Sequence, residues 1–65
     1  MNTENAKLAV AIAEEMGQYP DLDRLSATRL IQDIQYRFIV PYAVAWGAVC
    51  RFRENLRRQR DAYPA

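Results

Sequence analysis

The sequence predicts an all-α fold, either a helical hairpin or an arrangement of three helices. Apolar residues recur every three or four positions over residues 27–56, which is the period of a helix with one buried face. An alanine-rich helical pattern precedes them over residues 6–16. Prolines interrupt the chain at Pro20 and Pro41, and they predict where one helical segment ends and the next begins.

The first helix is predicted over residues 4–16. Asn2 or Thr3 is suited to cap its free amide groups, because both side chains carry a hydrogen-bond acceptor. Its larger apolar side chains form one ridge: Leu8, Ile12 and Met16. Gly17 is expected to form a left-handed cap, and Pro20 prevents the helix from continuing.

The second helix is predicted over residues 26–40, with an alternative start at Leu22. Ser26 is a good N-cap residue, and Leu25 before it is spaced to pack against Leu30 inside the helix. In this preferred version, the residues that follow the linker proline form a short helical turn that leads into the helix.

The third helix is predicted over residues 42–60, followed by a frayed tail at 62–65. Pro41 leaves two arrangements open, because proline costs about 3 kcal/mol inside a helix but is favoured at its first position. We favour a corner in which Pro41 begins the third helix. The alternative is one long kinked helix that starts at residue 26, since the apolar stripe keeps its phase across the proline. Gly47, in the middle of the third segment, would allow another helix to approach closely.

The chain is short for the apolar surface that it carries. Its 65 residues make one domain, 1–65, and a monomer of this size buries only about 60% of its unfolded surface. Cys50 is the only cysteine and histidine is absent, which excludes an internal disulfide and the usual zinc frameworks. No cofactor fingerprint is present, so no cofactor is expected. Self-association into a homo-oligomer, or docking onto a larger host protein, is therefore expected to complete the fold.

The apolar stripe is the candidate protein interface. Between residues 42 and 50 the third segment is apolar on every face, so we expect it to be enclosed on more than one side. Tyr42 and Trp46 lie one helical turn apart and would form an aromatic anchor of the kind that dominates protein interfaces. Tyr19, Tyr36 and Tyr63 lie outside the stripe and are candidates for exposed contacts. The residues predicted to contact a partner or a second copy are Ile34, Phe38, Tyr42, Trp46, Val49 and Phe52.

Charge is unevenly placed along the chain, although the net charge is only +1. Residues 1–23 hold one lysine against five carboxylates, and residues 51–60 hold five arginines against one glutamate. The last four arginines, defined here as the arginine cluster, are Arg53, Arg57, Arg58 and Arg60. Three interpretations are open: a solvated helix end, a contact for an acidic protein, or a contact for nucleic acid.

The sequence predicts no enzymatic activity. Histidine, the commonest general base, is absent. Glu14 and Glu15 are adjacent on a helix and so point about 100° apart, which prevents them from acting together at one site. Cys50 has no base nearby in the sequence and closes an apolar run, so we expect a buried structural thiol.

A cytoplasmic location is the default expectation. Residues 1–5 are polar and acidic, unlike the start of a secretory signal. The longest uncharged run, Phe38 to Cys50, has 13 residues, whereas a membrane span needs about 17–25.

These features predict a small non-enzymatic protein-interaction module. It would act as an accessory subunit, or as a regulator or inhibitor of the sort that phages and mobile elements encode. The alternative is a dimeric nucleic-acid-binding regulator that uses the arginine cluster. The third interpretation is a short membrane-associated helical protein, because aromatic residues close to arginines suit a membrane interface.

Overall fold

The all-α prediction is confirmed by a computed structural model, which describes residues 3–62. Its elements are α1 (Thr3–Met16), a 3-10 helix (Pro20–Arg24), α2 (Ala27–Phe38) and α3 (Tyr42–Ala62). Within residues 3–62 there is no strand. The predicted cap at Asn2 and the tail residues 63–65 lie outside the described residues, and Ala62 still belongs to α3.

The central helix of the fold is α3. It packs against both α1 and α2, whereas direct contacts between α1 and α2 are few. All side chains that are fully buried in the described part of the chain are apolar, so the core holds no charge. The buried residues are Ala9, Ile12, Ala13, Met16, Leu30, Ile31, Ile34, Val44, Ala45, Ala48, Val49 and Phe52.

The helices α1 and α3 run in the same direction and approach closely at a glycine. A Cβ atom built on Gly47 would lie 3.4 Å from the Cβ of Ala9. Further along the same pair of helices, Ala13 and Phe52 line one cleft. A small residue at position 47 thus lets the two helix backbones come together, since a methyl group there would just reach van der Waals contact.

The ends of the helices test the local predictions. Ser26 caps α2 as predicted, because its hydroxyl oxygen accepts a hydrogen bond from the Arg29 amide at 3.2 Å. Thr3 does not cap α1, since it already lies within the helix. The predicted left-handed cap at Gly17 is wrong: its φ is not positive, and its amide donates to the Ala13 carbonyl at 3.0 Å. A tight hydrogen-bonded turn therefore ends α1 without any left-handed residue.

Pro41 forms a corner between α2 and α3. Its carbonyl oxygen accepts a hydrogen bond from the Ala45 amide at 3.1 Å, so Pro41 caps α3 and sits one position before the predicted one. Ile39 makes the turn, with φ 52° and ψ 56° in the left-handed region. Because of this turn α2 stops at Phe38 and does not reach Val40, where the sequence predicted its end.

Candidate protein-interaction site

The residues predicted to form an interface divide into a buried and an exposed group. Three lie in the core of the single chain at 3%, 2% and 0% exposure: Ile34, Val49 and Phe52. The helices packed around α3 cover this part of the stripe, so these side chains are not accessible to a partner. This corrects the prediction for all three. The exposed group is Phe38, Tyr42 and Trp46.

The exposed group lies among several exposed apolar residues near the junction of α2 and α3. Tyr36 and Ile39 are each 89% exposed, and Tyr42, Trp46 and Phe38 are 60%, 49% and 39% exposed. These five residues are defined here as the apolar corner. Three other large apolar residues of the described chain are exposed, and they lie outside it: Leu8, Tyr19 and Leu25. The sequence predicted three members of the corner as interface residues and Tyr36 as an exposed contact, but it did not indicate Ile39.

Ile39 has a backbone conformation that isoleucine disfavours. The left-handed region costs an L-residue about 1–2 kcal/mol, and β-branched residues are rare there. Pro41 restricts Val40 to extended geometry, and Phe38 is still helical, so the reversal of the chain falls on Ile39. Glycine or asparagine is usual at such a position. The local backbone therefore does not explain why an exposed isoleucine stands here.

A small cavity of about 190 Å³ lies between α1 and α2 and shares Phe38 with the apolar corner. Its apolar wall includes Met16, Leu30 and Ile34. Charged residues also line it: Glu15, Asp33 and Arg37. Sites for small-molecule ligands measure about 300–1,000 Å³. This cavity has room for a side chain of a docked protein and is too small for a typical ligand.

Two members of the arginine cluster contact the 3-10 helix and the residue that follows it. Arg53 Nη2 donates to the Leu25 carbonyl oxygen at 2.8 Å, and Arg53 Nε lies 3.5 Å from Asp23 Oδ1. Arg60 Nη2 lies 3.6 Å from Asp23 Oδ2. Asp23 thus bridges the 3-10 helix to two arginines of α3. These contacts fasten the 3-10 helix and Leu25, just before α2, to the second half of α3.

The other two arginines make no hydrogen-bonding or ionic contact with the 3-10 helix. Arg58 Nη2 donates to Glu54 Oε1 at 2.8 Å, one turn earlier on α3. Arg57 has no hydrogen-bonding or ionic partner within residues 3–62. Asp23 and Glu54 offset part of the positive charge, so the cluster is less cationic than its sequence suggests.

Cys50 is exposed, which corrects the expectation of a buried thiol. It shares a shallow surface cleft with Arg53 and Arg57. Other residues of the apolar run face the core: Val44, Ala45, Ala48 and Val49. Cys50, at the end of the run, lies on the exposed side of α3. Among residues 3–62, no group of three or more histidine, cysteine, aspartate or glutamate side chains is arranged to hold a metal ion.

Comparisons with protein-family models, with curated proteins and with solved structures give no match for this chain. Within residues 3–62, none of the helices has both the length and the apolar character that crossing a membrane requires.

Proposed function

We propose that this chain is a non-enzymatic α-helical interaction protein, an accessory subunit or a small regulator, which binds another protein surface through the apolar corner. The observation that carries the proposal is the exposure of five large apolar side chains within residues 36–46. Large apolar side chains that stay exposed are typical of surfaces that contact other proteins when they are concentrated in one part of the molecule.

The composition of the corner supports the same function. Tyrosine and tryptophan dominate binding energy at protein interfaces, since they supply large contact areas at a low cost in conformational entropy. The corner contains two tyrosines and Trp46. Arg37 is the one charged residue in the segment 36–46, so little charge has to be desolvated when the corner is covered.

Native mass spectrometry of the gently purified protein tests this proposal. The wild-type chain is expected in a complex with a second polypeptide, and the double variant Tyr36→Ser/Tyr42→Ser is expected as a single chain with unchanged helical circular dichroism. The matched control is Leu8→Gln/Leu25→Gln, which removes exposed apolar side chains outside the corner and should retain the complex. A wild-type protein that remains a lone chain of 7.5 kDa would contradict the proposal.

A nucleic-acid-binding regulator is the second candidate, supported by the exposure of Arg57 and Arg58. It ranks lower because Asp23 and Glu54 offset part of the positive charge of the arginine cluster. Binding to duplex DNA or to RNA that weakens steeply with salt, and that is lost in Arg57→Gln/Arg58→Gln, would favour this candidate. Equal binding by that variant would contradict it.

A further inference from the structure

The segment that joins α1 to α2 is attached to the rest of the fold by few contacts. This segment, defined here as the strap, comprises the 3-10 helix and Leu25, residues 20–25. None of its residues is buried, and Leu22 is its only apolar side chain that packs against the core. All the buried core residues belong to α1, α2 and α3. The contacts that hold the three helices together therefore depend little on the strap.

The backbone of the strap is held by weak local structure. Its 3-10 helix contains two hydrogen bonds, from the Leu22 amide to the Tyr19 carbonyl and from the Leu25 amide to the Leu22 carbonyl, each 3.0 Å long. Hydrogen-bond geometry in a 3-10 helix is poorer than in an α-helix. Outside the strap, the Gly17 amide closes the last turn of α1, and Ser26 caps α2. The strap can therefore detach without breaking a hydrogen bond inside either α-helix.

Polar contacts with α3 hold the strap in place. Asp23 lies 3.5 Å from Arg53 Nε and 3.6 Å from Arg60 Nη2, and Arg53 Nη2 also donates to the Leu25 carbonyl at 2.8 Å. Both ion pairs are longer than the roughly 2.7–2.9 Å of a charge-assisted hydrogen bond. The three charged side chains are 37%, 40% and 72% exposed. Ion pairs of this kind are weak and are screened by salt. The attachment of the strap is therefore expected to weaken as the ionic strength rises.

The strap also forms part of the wall of the cavity between α1 and α2. Leu22 lines this cavity together with Met16 and Leu30, which are only 4% and 1% exposed. Displacing Leu22 would remove one side of the wall. The cavity, which is smaller than ordinary ligand sites while the strap is closed, would then widen and open to solvent.

We propose that the strap is a gate to this cavity: it opens as a local unit while the three helices stay folded, and the ion pairs of Asp23 hold it closed. Local openings of this kind occur where a segment has few buried apolar contacts and exposed hydrogen bonds, and both conditions hold here. The proposal goes beyond the proposed function, because it concerns the connection between α1 and α2 and does not depend on what binds the apolar corner.

Native-state hydrogen exchange of the intact chain, followed by NMR at low urea concentrations, tests the opening. The Leu22 and Leu25 amides are expected to exchange faster than the Ala48 amide in the buried part of α3. Their rates should also depend less on urea, because a local opening exposes little surface. Asp23→Asn should accelerate exchange in the strap about fivefold at low salt, and less at high salt. Asp21→Asn is the matched control, because Asp21 lies in the same 3-10 helix and has no ion pair within residues 3–62.

Thiol labelling tests whether the opening uncovers the cavity. Because Cys50 is exposed, it is replaced by serine in every chain. Met16→Cys then places a thiol in the wall of the cavity, and Val49→Cys places one in the core among residues that do not line it. The thiol at position 16 is expected to react faster than the thiol at position 49, and about fivefold faster again when Asp23→Asn is added.

Three results would overturn the proposal. If the strap amides depend on urea as steeply as the Ala48 amide, the strap opens only when the whole chain unfolds. If their exchange responds neither to Asp23→Asn nor to salt, the ion pairs do not hold the strap closed. If the strap amides accelerate in Asp23→Asn but the thiol at position 16 reacts no faster, the strap moves without uncovering the cavity.

Discussion

Ile39 combines an exposed, β-branched side chain with a left-handed backbone. Asparagine is tolerated in that region, so Ile39→Asn removes much of the conformational cost. We expect the variant to raise the free energy of unfolding of the monomer by about 1 kcal/mol. Urea denaturation at high dilution, where association does not contribute, measures it. Tyr36→Asn is the control, since it introduces asparagine at an exposed helical position and offers no such gain. Lower stability in Ile39→Asn would mean that the isoleucine stabilises the single chain.

Asp23 forms ion pairs with two arginines that are distant from it in the sequence, Arg53 and Arg60. All three side chains are partly exposed, so each pair is expected to contribute between 0 and about 1 kcal/mol. We predict that Asp23→Asn lowers the free energy of unfolding by about 1 kcal/mol at low salt, and that the loss shrinks in high salt. Asp21→Asn, two residues earlier and exposed, is the control. A loss of stability that does not depend on salt would mean that Asp23 acts within the 3-10 helix and not through its ion pairs.

At the scale of helices, the close approach of α1 and α3 leaves room for one methyl group. The Cβ of an alanine at position 47 would lie 3.4 Å from that of Ala9, within ordinary van der Waals contact. Because alanine is favoured over glycine in a helix by up to about 1 kcal/mol, we expect Gly47→Ala to raise the free energy of unfolding by about 0.5 kcal/mol. Gly47→Leu should lower it by about 1–3 kcal/mol by forcing the helices apart.

Thermal denaturation followed by circular dichroism measures both variants at position 47. Gly17→Ala is a matched control, because a Cβ at Gly17 would lie 3.2 Å from the Glu14 carbonyl oxygen and is expected to give no gain. A destabilised Gly47→Ala variant would show that α1 and α3 cannot adjust even by a few tenths of an ångström.

The helices themselves were predictable because their signals are local. Periodicity indicated three segments, and Ser26 marked the start of α2 through its side-chain oxygen. Pro41 indicated an interruption, but the choice between corner and kink depends on Ile39, which adopts a conformation that its residue type disfavours. No local sequence pattern predicts a left-handed backbone at an isoleucine. Gly17 was the better candidate for a left-handed conformation. It does not adopt one, because a hydrogen-bonded turn ends α1.

At the scale of the whole molecule, the division of the apolar stripe could not be predicted from sequence. Periodicity shows that one face of a helix is covered, but it does not identify the surface that covers it. In the fold, Val49 and Phe52 are covered by the other helices of the same chain, whereas Tyr42 and Trp46, on the same helix, lie beyond their reach. Likewise, the arginine cluster was visible in the sequence, but the pairing of Asp23 with two of its members requires the packing of the 3-10 helix on α3.

A pair of matched substitutions tests this division across the whole molecule. Val49 is buried among apolar residues, so Val49→Asp places an unpaired charge in the core. Its cost exceeds the roughly 3–5 kcal/mol that a core of this size supplies, so the chain should unfold. Tyr42→Asp introduces the same charge on the same stripe, but at an exposed position in the first turn of α3, where the helix dipole favours an acidic residue.

The Tyr42→Asp chain should therefore keep its helical content and lose only its association with a partner. Circular dichroism and sedimentation, measured on both variants, separate the two effects. A Val49→Asp chain that stays folded, or a Tyr42→Asp chain that unfolds, would contradict the assignment of Val49 to the core and of Tyr42 to the surface. Tyr42 and Val49 are two helical turns apart on α3. If Val49→Asp unfolds and Tyr42→Asp stays folded, the boundary between the core and the interface lies between these two positions.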